Sequence, residues 1–164
     1  MFESLLKKYW IILIMNVEEI KRLYSKKDKM HNFSHIFRIR KNANKLSKGL
    51  KIDKKLLNFL ILFHGLKNYA KENKKDFDKK YVKSLLRYKN PKEIEEKIII
   101  DANTLDNIGK QGIKKALFVG RKIGRSDKKT FDYIKKNLKN LKFYTKMGKN
   151  SGKKQIKIMR KMLK

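Results

Sequence analysis

The sequence predicts an all-α fold, a single-domain helical bundle, and three observations point there. A chain of 164 residues has one proline and eight glycines, which leaves little material for β-turns. Forty per cent of it is hydrophobic, with nine Phe, seven Tyr and one Trp, a globular composition in a length suited to one domain. Apolar residues also recur three and four apart through most segments, the spacing of a helix face.

Residues 2–24 alternate apolar and charged groups at helical spacing, and 1–27 are assigned to an N-terminal helix. The apolar run "YWIILIM" at 9–15 is too short to span a bilayer and lacks a small-residue cleavage site. It reads as part of that helix, so a cytoplasmic protein with no membrane span is expected. After the break "SKKDKMHNFS", Ile36, Ile39, Ala43, Leu46 and Leu50 form one helical stripe, with Gly49 near its end. Asp53 is placed to cap the next helix, which is apolar nearly all round (Leu56, Leu57, Phe59–Phe63) and therefore central.

A solvated "KENKKDFDKK" loop and a short helix over 77–88 follow. "NPKE" at 90–93 reads as a helix start, with Asn90 as N-cap, Pro91 at the first position and Glu93 in a capping box. That helix runs through "IEEKIIIDANTLDNIG". Gly109 and Gly112 mark a break or a tight contact before a helix at 113–122. Ser126 and Asp127 begin one ending near Asn140, and 151–164 form a basic amphipathic helix. Such a helix can touch a membrane surface, but docking of Ile156, Met159 and Leu163 on the core is the expectation.

There is no cysteine, which excludes disulfides and thiolate metal sites. The formal net charge is +31, with Lys far outnumbering Arg. It is uneven: residues 1–107 hold 26 basic and 13 acidic groups, a net of +13, whereas 108–164 hold 20 and 2, a net of +18. Such a field concentrates polyanions. Codon bias in an AT-rich genome is the competing source of the lysines. The partners expected are RNA or DNA at the basic C-terminal third, or an acidic protein. The contact groups named are Lys114, Lys115, Arg121, Lys122, Arg125, Lys153, Lys154, Lys157 and Lys161.

The three histidines are His31, His35 and His64. His35 lies at the edge of an apolar stripe and His64 ends the central apolar run "FLILFHGL". Two imidazoles on successive helices can therefore point inward, and Asp101 and Asp106 close a third apolar helix. Two His and a carboxylate from three helices are a candidate divalent-metal site. Hydrogen-bonded core histidines are the competing reading.

"HNFSHIFRIRKNANKL", "LILFHGL" and "IEEKIIIDANTLDNIGKQGIKKA" resemble, in that order, motifs of the HD-domain phosphohydrolases. The resemblance covers about 28–164, so residues 1–164 are read as one HD-like helical domain. It implies a helical bundle around a divalent ion that activates water against phosphate esters. The ligands it implies are a first His, at His35, a His-Asp doublet whose His is His64, and a distal Asp. Arg38 matches the family's arginine, as a substrate-phosphate group. This sequence departs from the pattern at the acids: the doublet's Asp is Gly65, the distal Asp is Asn103, and the Asp of the opening pair is Asn32. Asp101 is one turn from Asn103 and is the substitute candidate, giving His35, His64 and Asp101 as the metal set. The expectation is a phosphohydrolase-like protein with a degenerate metal centre and weak or absent hydrolysis, its cofactor a divalent ion or none. The alternative is an inactive HD-fold binding module or assembly subunit that contacts nucleic acid.

Overall fold

The computed structural model describes residues 17–28 and 31–163, and the described residues hold helices and no strand. Most of the predicted first helix, including "YWIILIM", lies outside them; its end is α1 (Val17–Ser25). Then come α2 (Phe33–Leu46), α3 (Lys54–Phe63), α4 (Lys67–Glu72), α5 (Lys79–Leu86), α6 (Ile94–Asp106), α7 (Gly109–Lys122), α8 (Asp127–Leu138) and α9 (Lys146–Met162). No helix among the described residues is long and apolar enough to cross a membrane.

Local chemistry sets most helix starts. Asn32 caps α2 by accepting from the Ser34 N–H at 3.1 Å, and Asp53 caps α3 by accepting from Lys55 and Leu56 at 3.0 Å each. Asp78 caps α5, and Ser126 caps α8 as expected. The central run ends at Phe63, and Leu66 starts a separate short helix.

Three predicted starts are corrected. α6 begins at Ile94 with Glu93 as its N-cap, three residues beyond the "NPKE" prediction. The cause is Glu96. Its carboxylate is paired with Arg87, which follows α5, and accepts the Lys92 N–H at 2.7 Å and the Glu93 N–H at 3.4 Å. Glu93 is thus the capped residue and Glu96 the acid that reaches back. α7 begins at Gly109 rather than 113, because Gly109 adopts φ +68°, a left-handed conformation that lets the chain turn directly from α6 into α7.

α9 begins at Lys146, five residues before the predicted 151, with Thr145 as N-cap accepting from the Gly148 N–H at 2.9 Å. A tertiary contact holds this cap. The fully buried Asp101 of α6 accepts from the Tyr144 N–H (2.9 Å), the Thr145 N–H (2.8 Å) and the Thr145 hydroxyl (2.7 Å).

The core has two parts. The larger is built by α1 to α6 around Tyr24, Ile36, Ile39, Leu46, Phe59, Leu60, Phe63 and Ile98. The smaller joins Ile108, Ile113, Ile134, Leu138, Met159 and Leu163, with Leu105 packed against both. Met159 and Leu163 dock as the periodicity of the last helix predicts, and Ile156 packs at the edge.

α9 also approaches α6 so closely that a Cβ at Gly148 would overlap the Asp101 carboxylate. Alanine for glycine inside an open helix stabilises by about 1 kcal/mol. Here the sign reverses: Gly148→Ala should lower the unfolding free energy by about 1–3 kcal/mol, the range for overpacking. Urea denaturation measures it, and an unchanged or raised midpoint would contradict the close approach.

Candidate functional site

α2, α6 and α7 meet at one buried carboxylate. Asp106 is the last residue of α6, His35 lies on the first turn of α2, Arg38 is three residues further, and Lys115 sits mid-way along α7. His35 Nδ1 is 2.6 Å from Asp106 Oδ2, and Arg38 Nε donates to Oδ1 at 2.7 Å. The Lys115 ammonium donates to Oδ2 as well and to Asn107 Oδ1 at 3.0 Å. Burial pushes the Asp106 pKa up. Hydrogen bonds from His35, Lys115 and Arg38 outweigh that and hold the group well below the usual carboxylate range. Burial lowers the Lys115 pKa, and Asp106 opposes the shift. Asp106 is an obligate acceptor, so the network assigns the proton between it and His35 to Nδ1.

His64, just beyond α3, stands beside His35 with ring centroids 5.9 Å apart. Asn103 hydrogen-bonds the His64 ring and donates to the Tyr88 hydroxyl at 3.0 Å. Burial, then the nearby charges of His35 and Lys67, lower the His64 pKa to about 3, so the ring is neutral near pH 7. His31 lies outside this pair: it is exposed and its Nδ1 is 2.9 Å from the Asp28 carboxylate, although its ring centroid is 6.1 Å from that of His35.

Gly65 answers the question posed by "HG". A Cβ there would stand 2.9 Å from Cε1 of the fully buried Tyr24. The Tyr24 hydroxyl donates to the Leu62 carbonyl at 2.8 Å and accepts the Gly65 N–H at 3.1 Å. The missing side chain makes room for a tyrosine that satisfies the end of α3. Burial raises the Tyr24 pKa, so the phenol stays protonated.

The structure brings together some of the predicted metal residues and separates another. His35 and His64 meet. Asp101 does not join them, because all its acceptor capacity faces the start of α9. Asp106 is the acid beside His35. A histidine that donates Nδ1–H to a carboxylate is arranged as metal-binding histidines are. Here, however, two imidazoles have no carboxylate to accompany them: Gly65 has no side chain, Asn103 is neutral, and Asp106 is claimed by three donors. Among the described residues no group of three His, Asp or Glu side chains could hold a metal ion. Lys67, Lys115 and Arg38 add positive charge nearby. The residues present therefore do not fit a divalent ion.

The proposed phosphate and nucleic-acid groups divide likewise. Arg38 is about one-third exposed and tied to Asp106. Lys115 is only 8% exposed and ion-paired inside, so its place on a nucleic-acid surface is corrected. Arg121 is exposed but pairs with Asp127 at 2.7 Å, and Arg125 lies over the Tyr133 ring. Lys114, Lys122, Lys153, Lys154, Lys157 and Lys161 are exposed. The signal for Asp106 was present in the "LDNIG" segment, but nothing in the spacing told which of two acids would face His35.

His64 makes stability depend on pH. The unfolded chain takes up a proton on this residue near pH 6.5, whereas the folded ring resists protonation to about 3. Its contribution is therefore complete above pH 6.5 and is lost as the pH falls through that window. Between pH 7 and pH 5 the loss from this group should be on the order of 2 kcal/mol. His64→Gln should flatten the curve of denaturant midpoint against pH over that range, and a slope equal to the parent's would refute the assignment.

The chain matches no protein-family model and no curated protein. Solved structures do match. The Lin1889 protein of Listeria innocua superposes with a TM-score of 0.71 over 95% of this chain and 93% of its own, at 24% identity. YpgQ of Bacillus subtilis, solved in complex with ADP, gives 0.73 over 96% and 92%, at 18% identity. An HD-superfamily hydrolase of Bacillus thuringiensis gives 0.71 over 95% and 94%, at 20% identity. At these identities the likeness is one of fold, and the chain carries the HD-domain helical fold.

Proposed function

We propose that this chain is a phosphohydrolase-like HD protein with a degenerate metal centre, whose phosphoester hydrolysis is weak or absent and whose remaining role is binding. One observation carries the reading: His35 and His64 stand together with no carboxylate free to neutralise an ion between them. Metal-assisted hydrolysis requires an ion that lowers the pKa of its bound water and neutralises phosphoryl charge. Two neutral imidazoles among surrounding cations do not supply the anionic ligands such a hard ion needs.

What the chain's own residues do is structural. Asp106 fixes His35, Arg38 and Lys115, and Asn103 fixes His64 and Tyr88. The test is metal analysis of protein purified without a His-tag, with Mn²⁺ titration by calorimetry and a phosphomonoester assay. The wild type should hold well under one ion per chain, and added Mn²⁺ should leave turnover at the level of His35→Ala. Asn103→Asp, alone and with Gly65→Asp, should raise Mn²⁺ affinity. Stoichiometric metal in the wild type would overturn the reading.

A second reading has its own observation. Lys114, Leu117, Phe118, Arg121 and Lys122 line a groove of about 410 Å³ along α7, where Phe118 is 39% exposed. Lysines beside an exposed ring suit sequence-independent contact with single-stranded nucleic acid. Neutralising Lys114, Lys122, Lys153 and Lys154 should weaken oligonucleotide binding and flatten its log–log salt dependence by about three. Neutralising Lys41, Lys45, Lys48 and Lys51 should do less. Equal losses would mean that net charge alone drives binding.

A further inference from the structure

Beside His64 the surface opens into a cavity of about 330 Å³, lined by Lys27, His64, Gly65, Leu66, Lys67, Asn68, Tyr69 and Tyr88. Its volume lies at the lower end of those that hold small ligands. Among the described residues that line it, none is acidic. Two lysines, an amide and two tyrosines supply donors and ring faces.

Lys67 is half-buried and places its ammonium 3.8 Å from the centre of the Tyr88 ring, with no carboxylate bonded to it among the described residues. A partly desolvated ammonium facing a cavity with only a ring for company is incompletely satisfied, since a cation–π contact supplies less than an anion would. Burial lowers its pKa, as expected for a charge that lacks a counter-ion. His64 contributes a neutral ring that neither repels an anion nor attracts a cation. Gly65 contributes an open wall.

We infer that this cavity is an anion site that takes a phosphate monoester directly on the Lys67 and Lys27 ammonium groups, with no metal ion, and lays an attached ring against Tyr69 or Tyr88. The inference rests on the degenerate-centre reading above, because a divalent ion beside His64 would give the cavity a different occupant. Replacing an acid by Gly65 at its wall has a definite electrostatic sense: it removes a negative charge that would repel phosphate. An ammonium–phosphate contact in a partly enclosed site is a charge-assisted hydrogen bond, stronger than one in open water.

The test is calorimetric titration of the full chain, in EDTA, with inorganic phosphate and with phenyl phosphate. Both should bind, phenyl phosphate more tightly. Lys67→Gln should weaken binding about tenfold, the loss expected for one hydrogen bond to a charged group. Lys27→Gln, at an exposed position where folding is not at stake, should weaken it by a smaller factor. Neutralising Lys128 and Lys129 together on α8, which removes more charge elsewhere, should change it less than either.

Gly65→Asp should abolish binding, while Gly65→Asn, which meets Tyr24 in the same way without a charge, should retain part of it. Loss of equal size in the Lys128/Lys129 control, or no binding to either probe, would overturn the anion site while leaving the degenerate centre standing. Binding that appears only when Mn²⁺ is added would overturn both.

Discussion

The Asp106 carboxylate is the constraint on which the rest of the site depends. It ends α6, and the donors it gathers come from α2 and α7, so one side chain sets the mutual position of three helices. A buried carboxylate is costly alone, and so is a buried ammonium. Together with His35 and Arg38 they form a satisfied cluster, and no buried side-chain polar atom among the described residues lacks a partner. Such a cluster holds its geometry because removal of either partner leaves the other charged and buried. It also fixes which way His35 points and which of its nitrogens carries a proton.

A second carboxylate on α6 has a different task. Asp101 lies five residues before Asp106, a spacing that turns the two acids to different sides of the helix. Asp106 faces α2 and α7, while Asp101 faces the start of α9 and caps it through Thr145. α6 is therefore the element between the larger core and the C-terminal helix, and its polar ends decide what each neighbour meets. The close passage of Gly148 over Asp101 and the docking of Met159 and Leu163 follow from that contact.

The chemistry at His64 changes sign where the acids are lost. With Gly65 and Asn103 in place of two carboxylates, the groups around the ring are Lys67, His35 and neutral amides or phenols. A divalent cation meets repulsion there and an anion meets attraction. Tyr24 gives Gly65 a structural reason to persist, since its ring lies where a side chain would be and its hydroxyl bonds the backbone on both sides of His64.

The sequence by itself determined the helical class, most helix centres, the pairing of His35 with His64 and the absence of two acids. These follow from periodicity, capping residues and motif order, all of which act over a few residues. What only the tertiary structure decided is where distant groups meet. Glu96 moved the start of α6 because Arg87 recruits it, and Asp101 moved the start of α9 because it caps from another helix. Lys115 looks like any other lysine in a basic segment, yet it is buried on Asp106. Asp101 and Asp106 are indistinguishable as letters, and the rotation of α6 against its neighbours assigns one to a helix cap and the other to His35. Hydrophobic spacing fixes which face of a helix is buried, but the partner of a buried charge is chosen by geometry across the fold.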